Sequence, residues 1–266
     1  MWLIRISFHL AVGGLLLFGV IERAAAQGQP DVARLLRVEW EPGSDKWGPP
    51  RLVGHVYNDS TYRIGSVRLR VETLDGVLFT HDHADHTHGI DDLRGIFFML
   101  RRRVDVYLDA QTRGVLMDRF GYCFVQPPGS SYPAILQAHD ILPPEPVRIE
   151  GAGGPIEAVP IVQDHGDISS LGFRFGNVLY SPDIAGVPES SMPLLQGLDL
   201  WIVDALRPMP HPGHFSLKQA LQWIERVGAK RAILTHMTME LDYAALKREL
   251  PAHIEPAYDG MVVQVP

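Results

Sequence analysis

Five apolar runs in this chain each end on a histidine or an aspartate. Val77-Leu78-Phe79 leads into Thr80-His81-Asp82-His83-Ala84-Asp85-His86, and Ile156 to Gln163 leads into Asp164-His165-Gly166-Asp167. Val178-Leu179-Tyr180-Ser181-Pro182 ends on Asp183, Leu200-Trp201-Ile202-Val203 on Asp204, and Ala232-Ile233-Leu234-Thr235 on His236. Runs of this length and apolarity read as short buried strands. Side chains at the ends of such strands converge on one rim of a sheet, where α/β proteins commonly assemble their sites.

The stretches between the runs agree with an α/β layered chain. Ile90 to Leu100 reads as a helix, Val104 to Leu108 as a strand, Ala110 to Phe120 as a helix and Leu171 to Phe175 as a strand. Ser216 is a good N-cap for a helix from Leu217 to Val227, and Gly228 a good stop. Pro127 to Pro133 is a loop by composition, an ordinary surface loop by default with a substrate-side flap as the alternative. His139 is expected in a comparable polar turn, without a partner pattern.

Composition bounds the rest. A chain of 266 residues, 46% hydrophobic and 21% charged, suits one large domain with a substantial core. Its net charge of -7 argues against a dedicated nucleic-acid surface. The one dense basic run, Arg101-Arg102-Arg103, reads as a solvated helix end. A single cysteine, Cys123, excludes an intrachain disulfide and a cysteine-rich zinc cluster, and its apolar neighbours Tyr122 and Phe124 point to a packed thiol.

The start of the chain carries two readings. A positive Met1 to Arg5, an apolar Leu10 to Ile21 too short to span a bilayer comfortably and the small residues Ala24-Ala25-Ala26 compose a secretory leader over residues 1–26, which would send the protein to the periplasm. The reading preferred here is a cytoplasmic enzyme with an atypical start. From Gln27 to Leu74 the pattern is irregular, apart from one alternating strand over Ser66 to Glu72.

Chemistry concentrates in the first cluster. Three histidines and two carboxylates within six positions supply the nitrogen and oxygen ligands that zinc, manganese or iron accept. His81 and His83 alternate while Asp85 and His86 are adjacent, so one loop can present two ligands to one metal and two to a second. A catalytic metal commonly needs at least three protein ligands, so more must come from downstream.

His81-Asp82-His83-Ala84-Asp85-His86 matches a His-x-His-x-Asp-His signature, and the chain resembles the metallo-β-lactamase-fold hydrolases on these residues. Thr87 to Arg94 extends the likeness toward the branch containing the phosphoribosyl cyclic phosphodiesterase. The resemblance runs from Asp75 to Pro266, leaving residues 27–74 as an unmatched N-terminal segment. It implies a four-layer αββα sandwich with mixed sheets and two divalent ions, Zn2+ or Mn2+. His81, His83 and His165 are then expected on the first ion, Asp85, His86 and His236 on the second, and Asp183 bridging both. Asp85 and His214 are the expected catalytic residues, with His214 moving protons to the leaving group. Relatives read Thr-His-Met-Ser-His where this chain has Thr235-His236-Met237-Thr238-Met239, so Met239 is where substrate choice is expected to differ.

The reaction so implied is hydrolysis of a small cyclic phosphoribosyl-type phosphodiester by a water that the metals acidify. Another ester or a nucleic-acid phosphodiester is the alternative within the enzyme class, because fold does not fix function. A non-catalytic metal-binding protein or a damaged relative is the alternative outside it, motivated by residues 27–74. The expected partner is a small-molecule substrate, with no stable membrane span and homodimerisation left open.

Overall fold

The computed structural model describes residues 74–151, 154–259 and 261–263, and the backbone of an antiparallel pair, β1 (Leu36–Pro42) and β2 (Leu52–Asn58), in register from Leu36↔Asn58 to Pro42↔Leu52. The leader over residues 1–26 and the strand over Ser66 to Glu72 lie outside the described residues. Among the described residues no helix is long and apolar enough to cross a membrane.

A small parallel sheet comes first. It pairs β3 (Val77–Leu78) with β4 (Val104–Leu108) and β4 with β5 (Leu136–Asp140). The metal-motif loop, holding the short helix α1 (Ala84–Thr87), follows β3, and a 3-10 turn (Ile90–Asp92) leads into α2 (Leu93–Leu100). The helix α3 (Ala110–Phe124), N-capped by the Asp109 carboxylate accepting from the Thr112 amide at 2.8 Å, returns the chain to β5. Strand alternation sorts the side chains. Val104, Val106 and Leu108 pack on one face with Ile96 and Phe97 of α2 and Leu116, Cys123 and Phe124 of α3, while Leu78 and Tyr107 turn to the other.

The large sheet has seven strands in the order β12-β11-β10-β9-β8-β7-β6: β6 (Val147–Ile149), β7 (Ile156–His165), β8 (Ile168–Phe175), β9 (Val178–Ser181), β10 (Leu200–Asp204), β11 (Ala232–Thr235) and β12 (Ile254–Pro256). β6 to β9 pair antiparallel and β9 to β12 parallel, so β7, β9, β10, β11 and β12 all run the same way. Leu78 and Tyr107 of the small sheet pack on Ala158, Leu171 and Phe173 of the large one. On the far side Trp201, Val203 and Leu234 meet Ala220, Ile224 and Val227 of α4 (Leu217–Val227). The layers are therefore helix, sheet, sheet, helix.

All five residues of β10 are buried, as a central strand covered on both faces requires. Trp201 is fully buried and its indole N–H donates to Ser181 Oγ at 2.9 Å, so truncating it to alanine should cost about 3–5 kcal/mol. On α4 the buried residues recur three to four positions apart, the stripe of a helix with one covered face. Ser216 Oγ accepts from the Gln219 amide while the Gln219 side chain accepts from the Ser216 amide, a complete capping box worth about 1 kcal/mol. A fifth helix, α5 (Tyr243–Glu249), is capped by Asp242, whose carboxylate accepts from the Ala245 amide at 2.7 Å.

Two expectations need correction, and one alternative is set aside. The second helix of the sequence reading does not stop at Phe120: that residue leaves helical geometry (φ -131°, ψ 29°), yet the helix resumes to Phe124 and buries Cys123 and Phe124. His139 is not in a polar turn but within β5, stacked on Tyr107 at 4.9 Å and hydrogen-bonded to Asp105 at 2.8 Å. The Pro127–Pro133 loop precedes β5, so it lies at the starting ends of the small sheet's strands, opposite the ends that carry the metal motif.

Candidate metal centre

The ends of β3, β7, β9, β10 and β11 meet on one rim, and the two sheets are tied there by the Leu171 amide donating to the Thr80 carbonyl at 2.8 Å. Each predicted ligand has a local reason for its place. His81 shares its Nδ1 with Thr80 Oγ1 at 3.0 Å, which turns Nε2 inward. The loop beyond is held by Thr87 Oγ1 donating to the His83 carbonyl at 2.8 Å and by Arg119 donating to the Asp82 carbonyl at 2.9 Å. His165 ends β7 one residue before Gly166, whose φ of 65° makes the tight turn into β8; a side chain there would also press on Gly213 at 3.4 Å. Its Nδ1 faces the Gly213 carbonyl at 2.5 Å, leaving Nε2 for the centre. His236 follows β11 in the left-handed region, φ 60°, a strained place for a residue with a side chain.

Asp183 stands in the middle, buried, and its two oxygens face different partners. Oδ2 lies 3.6 Å from His81 Nε2 and 3.5 Å from His165 Nε2, and His165 Nε2 is 3.1 Å from His83 Nδ1. Oδ1 lies 3.1 Å from His86 Nε2 and 3.7 Å from His236 Nε2, and both those nitrogens approach Asp85 Oδ2, at 3.4 and 3.5 Å. The seven expected ligands thus fall into two sets sharing Asp183, each with its ligand atoms within 4.8 Å of one another. A third such set, Asp204, His214 and His236, overlaps the second. For a tetrahedral ion with ligands at about 2.1 Å, neighbouring ligand atoms sit roughly 3.4 Å apart, and the Asp183 contacts of 3.1 to 3.7 Å bracket that spacing. His81 Nε2 is buried without a hydrogen-bond partner, the condition of an atom placed for a cation.

The protonation pattern agrees. Burial, then the charge of His86, pushes His81 down to about 3, and burial lowers His165 as well, so both present lone pairs. Burial alone would raise Asp183, but the hydrogen bond and charge of His86, with His236 and His81 behind it, hold it well below the usual carboxylate range. His86 is the exception. Burial opposes its proton, yet the hydrogen bond and charge of Asp183 and the charge of Asp85 outweigh that and raise its pKa.

His214 Nε2 reaches to 3.9 Å from Asp183 Oδ2, and its ring stacks on His236 at 5.0 Å. Its Nδ1 pairs with Asp204 Oδ2 at 2.7 Å. Asp204 is the residue that sequence reasoning leaves without a role, although the signal was present: a wholly apolar strand ending in a carboxylate. Burial pushes it up to about 8 despite the charge of His236 and the Ile184 amide.

Comparison with known proteins places this arrangement. A solved diphosphatase described as new in the PhnP family is similar at 32% identity over 72% of this chain and 72% of its own, with a TM-score of 0.64. The metallo-β-lactamase-fold protein YhfI from Bacillus subtilis shares the fold at 19% identity, over 71% of this chain and 76% of its own, with a TM-score of 0.56. A Porphyromonas gingivalis protein named octanoyltransferase is 30% identical over 196 residues, 72% of this chain, but the chain spans only 38% of that protein's length. The family model for the Beta-lactamase superfamily domain matches residues 44–237, a span that begins upstream of Asp75. With the signature at the end of β3, the two-sheet core and the His/Asp cluster on its rim, the chain belongs to the β-lactamase superfamily and has the metallo-β-lactamase fold.

Proposed function

We propose that this protein is a hydrolase that cleaves a phosphodiester at a centre of two divalent ions, Zn2+ or Mn2+, with a small cyclic phosphoribosyl compound as the leading substrate class. His81, His83 and His165 would hold one ion, Asp85, His86 and His236 the other, and Asp183 both. The observation that supports this is the division of the Asp183 carboxylate, one oxygen toward each histidine set. Bound ions would supply Lewis acidity and a water of lowered pKa.

The chain's own residues add proton handling. Asp204, fully buried, fixes the His214 ring through Nδ1, so Nε2 is the atom that points into the centre. An imidazole held this way can donate from Nε2 to a departing alkoxide and recover a proton through Nδ1. Hydrolysis of a diphosphate is the second reading, favoured by the 32% identical diphosphatase.

Elemental analysis together with hydrolysis of bis(p-nitrophenyl) phosphate, on wild type and Asp85→Ala, tests the proposal. Two metal equivalents and an activity that disappears in the variant are expected. Two bound metals with no phosphodiesterase activity would favour a non-catalytic metal binder, and metal-free, inactive protein would sink the proposal.

A further inference from the structure

Arg207, just past Asp204 at the end of β10, pairs with no carboxylate among the described residues, although Arg94 and Arg231 each face one. Its side chain folds back on its own loop instead, donating from Nε to the Met209 carbonyl at 3.3 Å and from Nη2 to the Pro210 carbonyl at 3.0 Å. A guanidinium offers donors on every nitrogen and has no acceptor, so this brace leaves Nη1 over. The loop is held firmly. Pro208, Pro210 and Pro212 stiffen it, the Leu206 amide donates to the Phe215 carbonyl at 2.9 Å, and the Leu217 amide donates to the Arg207 carbonyl at 3.0 Å.

His211 lies in the same loop. Its Nδ1 accepts from the Gly213 amide at 3.2 Å, which puts the ring proton on Nε2 as a second donor without a partner among the described residues. The ring stands 4.9 Å from that of His214, centre to centre. Gly213 makes this approach possible: a side chain there would press on His165 at 3.3 Å and come within 3.8 Å of His211 Nδ1. His211 therefore lies beside His165 and His214 while belonging to neither ligand set. The charge of Arg207 reaches both imidazoles of the loop. Burial, then the charges of His214 and Arg207, lower the pKa of His211. Burial lowers that of His214 against the pull of Asp183 and Asp85, with His86 and Arg207 adding to the fall.

We propose that Arg207 and His211 form an anion subsite beside the metal centre, for a phosphate monoester that the substrate carries apart from the ester being cleaved. This rests on the phosphodiesterase reading above and names the residues that select its phosphoribosyl class. A guanidinium nitrogen and an imidazole N–H, neither with an acceptor of its own, stand together in a chain of net charge -7. A phosphate dianion satisfies both, where a neutral hydroxyl would leave the guanidinium charge unanswered. The ester under attack has to sit among the ligand sets, to which neither residue belongs, so the group bound here is a second one. Arg207 is already braced by its loop, so little ordering is needed on binding.

Two substrates separate the subsite from the chemistry: a ribose cyclic phosphate with a second phosphate on its primary hydroxyl, and the same ester without it. The ratio of their kcat/KM values should fall about tenfold in Arg207→Gln and by a smaller factor in His211→Asn. An arginine that only braces the loop of His214 would lower both substrates alike, so an unchanged ratio overturns the proposal. Should Arg207→Gln not fold, His211→Asn, a change at a partly exposed residue, decides by the same ratio. In parallel, the Nε–H signal of Arg207 in 15N-arginine-labelled, metal-loaded protein should shift with ribose 5-phosphate and not with ribose, and the affinity so measured should drop in His211→Asn. A phosphate held by the ions alone would keep the same affinity in that variant, which also overturns the proposal. If wild type cleaves neither ester the phosphodiesterase reading fails by itself, and the arginine signal still decides whether the loop binds a phosphate.

Discussion

His214 Nδ1 and Asp204 Oδ2 lie 2.7 Å apart, while the second oxygen of the same carboxylate faces His236 Nδ1 at 3.7 Å. One fully buried side chain at the end of β10 therefore addresses two imidazoles, one in the loop that follows its own strand and one at the end of β11. Asp204 Oδ1 and His236 Nδ1 are both buried and without a hydrogen-bond partner at that spacing. A small movement of His236 onto an ion would allow them to meet, and coupling of this kind between a ligand and a buried carboxylate commonly tunes metal affinity.

His214→Ala should hurt poor leaving groups most. If Nε2 protonates the departing oxygen, loss of the ring lowers kcat by about 10²–10³ for an alkyl leaving group but only about tenfold for p-nitrophenolate, which leaves without help. Asp204→Asn should follow the same order with a smaller loss. Equal losses for both leaving groups, read from kcat across a series of esters, would remove His214 from proton transfer.

The burial of Asp204 also predicts a pH dependence. Its pKa rises from an ordinary 3.8 to about 8 in the folded chain. Between those values the native state keeps a proton that the unfolded chain has released, so stability falls as pH rises through that window, by on the order of 1 kcal/mol per pH unit at most. In chelator-treated protein, the urea-unfolding free energy of wild type relative to Asp204→Asn should decline between pH 5 and 7. A flat difference would mean that the carboxylate is ionised in the native state.

If Asp183 bridges two ions, as proposed, its loss should act on both. Asp183→Asn keeps the size of the side chain but takes the charge that faces His81 and His165 through one oxygen and His86 and His236 through the other. Metal content should fall for both ions together, whereas His165→Ala should weaken one and spare the second, because His165 is a member of the first set and not of the second. Stepwise loss in Asp183→Asn would show that the carboxylate serves a single ion. Chelation of wild type should abolish hydrolysis and lower the thermal midpoint, since ions that bind only the native state stabilise it by mass action.

What can be read from sequence here follows from how local the deciding interactions are. β10 and β11 announce themselves as apolar runs because both faces are covered, and α4 because its capping box and the φ of 71° at Gly228 are encoded within a few residues of each end. β6 is hidden: three residues paired antiparallel to β7 owe their state to a neighbour. The tail of α3 is hidden as well, since Tyr122-Cys123-Phe124 is apolar enough to pass for a strand, and its helical state goes with burial of Cys123 and Phe124 in the core under the small sheet. In the centre, the His-x-His-x-Asp-His signature and the family resemblance it carries point to the seven candidate ligands. The role of Asp204 does not, because an aspartate that holds a histidine and one that holds a metal look alike until the 2.7 Å contact to His214 is seen.

His236 adds a test of stored strain. Its φ of 60° costs an L-residue about 1 kcal/mol or more, and the surrounding sheet ends must hold it there. Alanine at this position removes the imidazole and keeps the strain, whereas glycine removes both. His236→Gly should therefore be more stable than His236→Ala by about 1 kcal/mol in the metal-free state, measured by urea denaturation, while both variants lose the same ion. This order runs against the usual one, in which glycine destabilises through its freedom in the unfolded chain. Finding alanine the more stable of the two would mean that the backbone relaxes once the ring is gone, so that the left-handed turn is imposed by the ligand side chain and not by the end of β11.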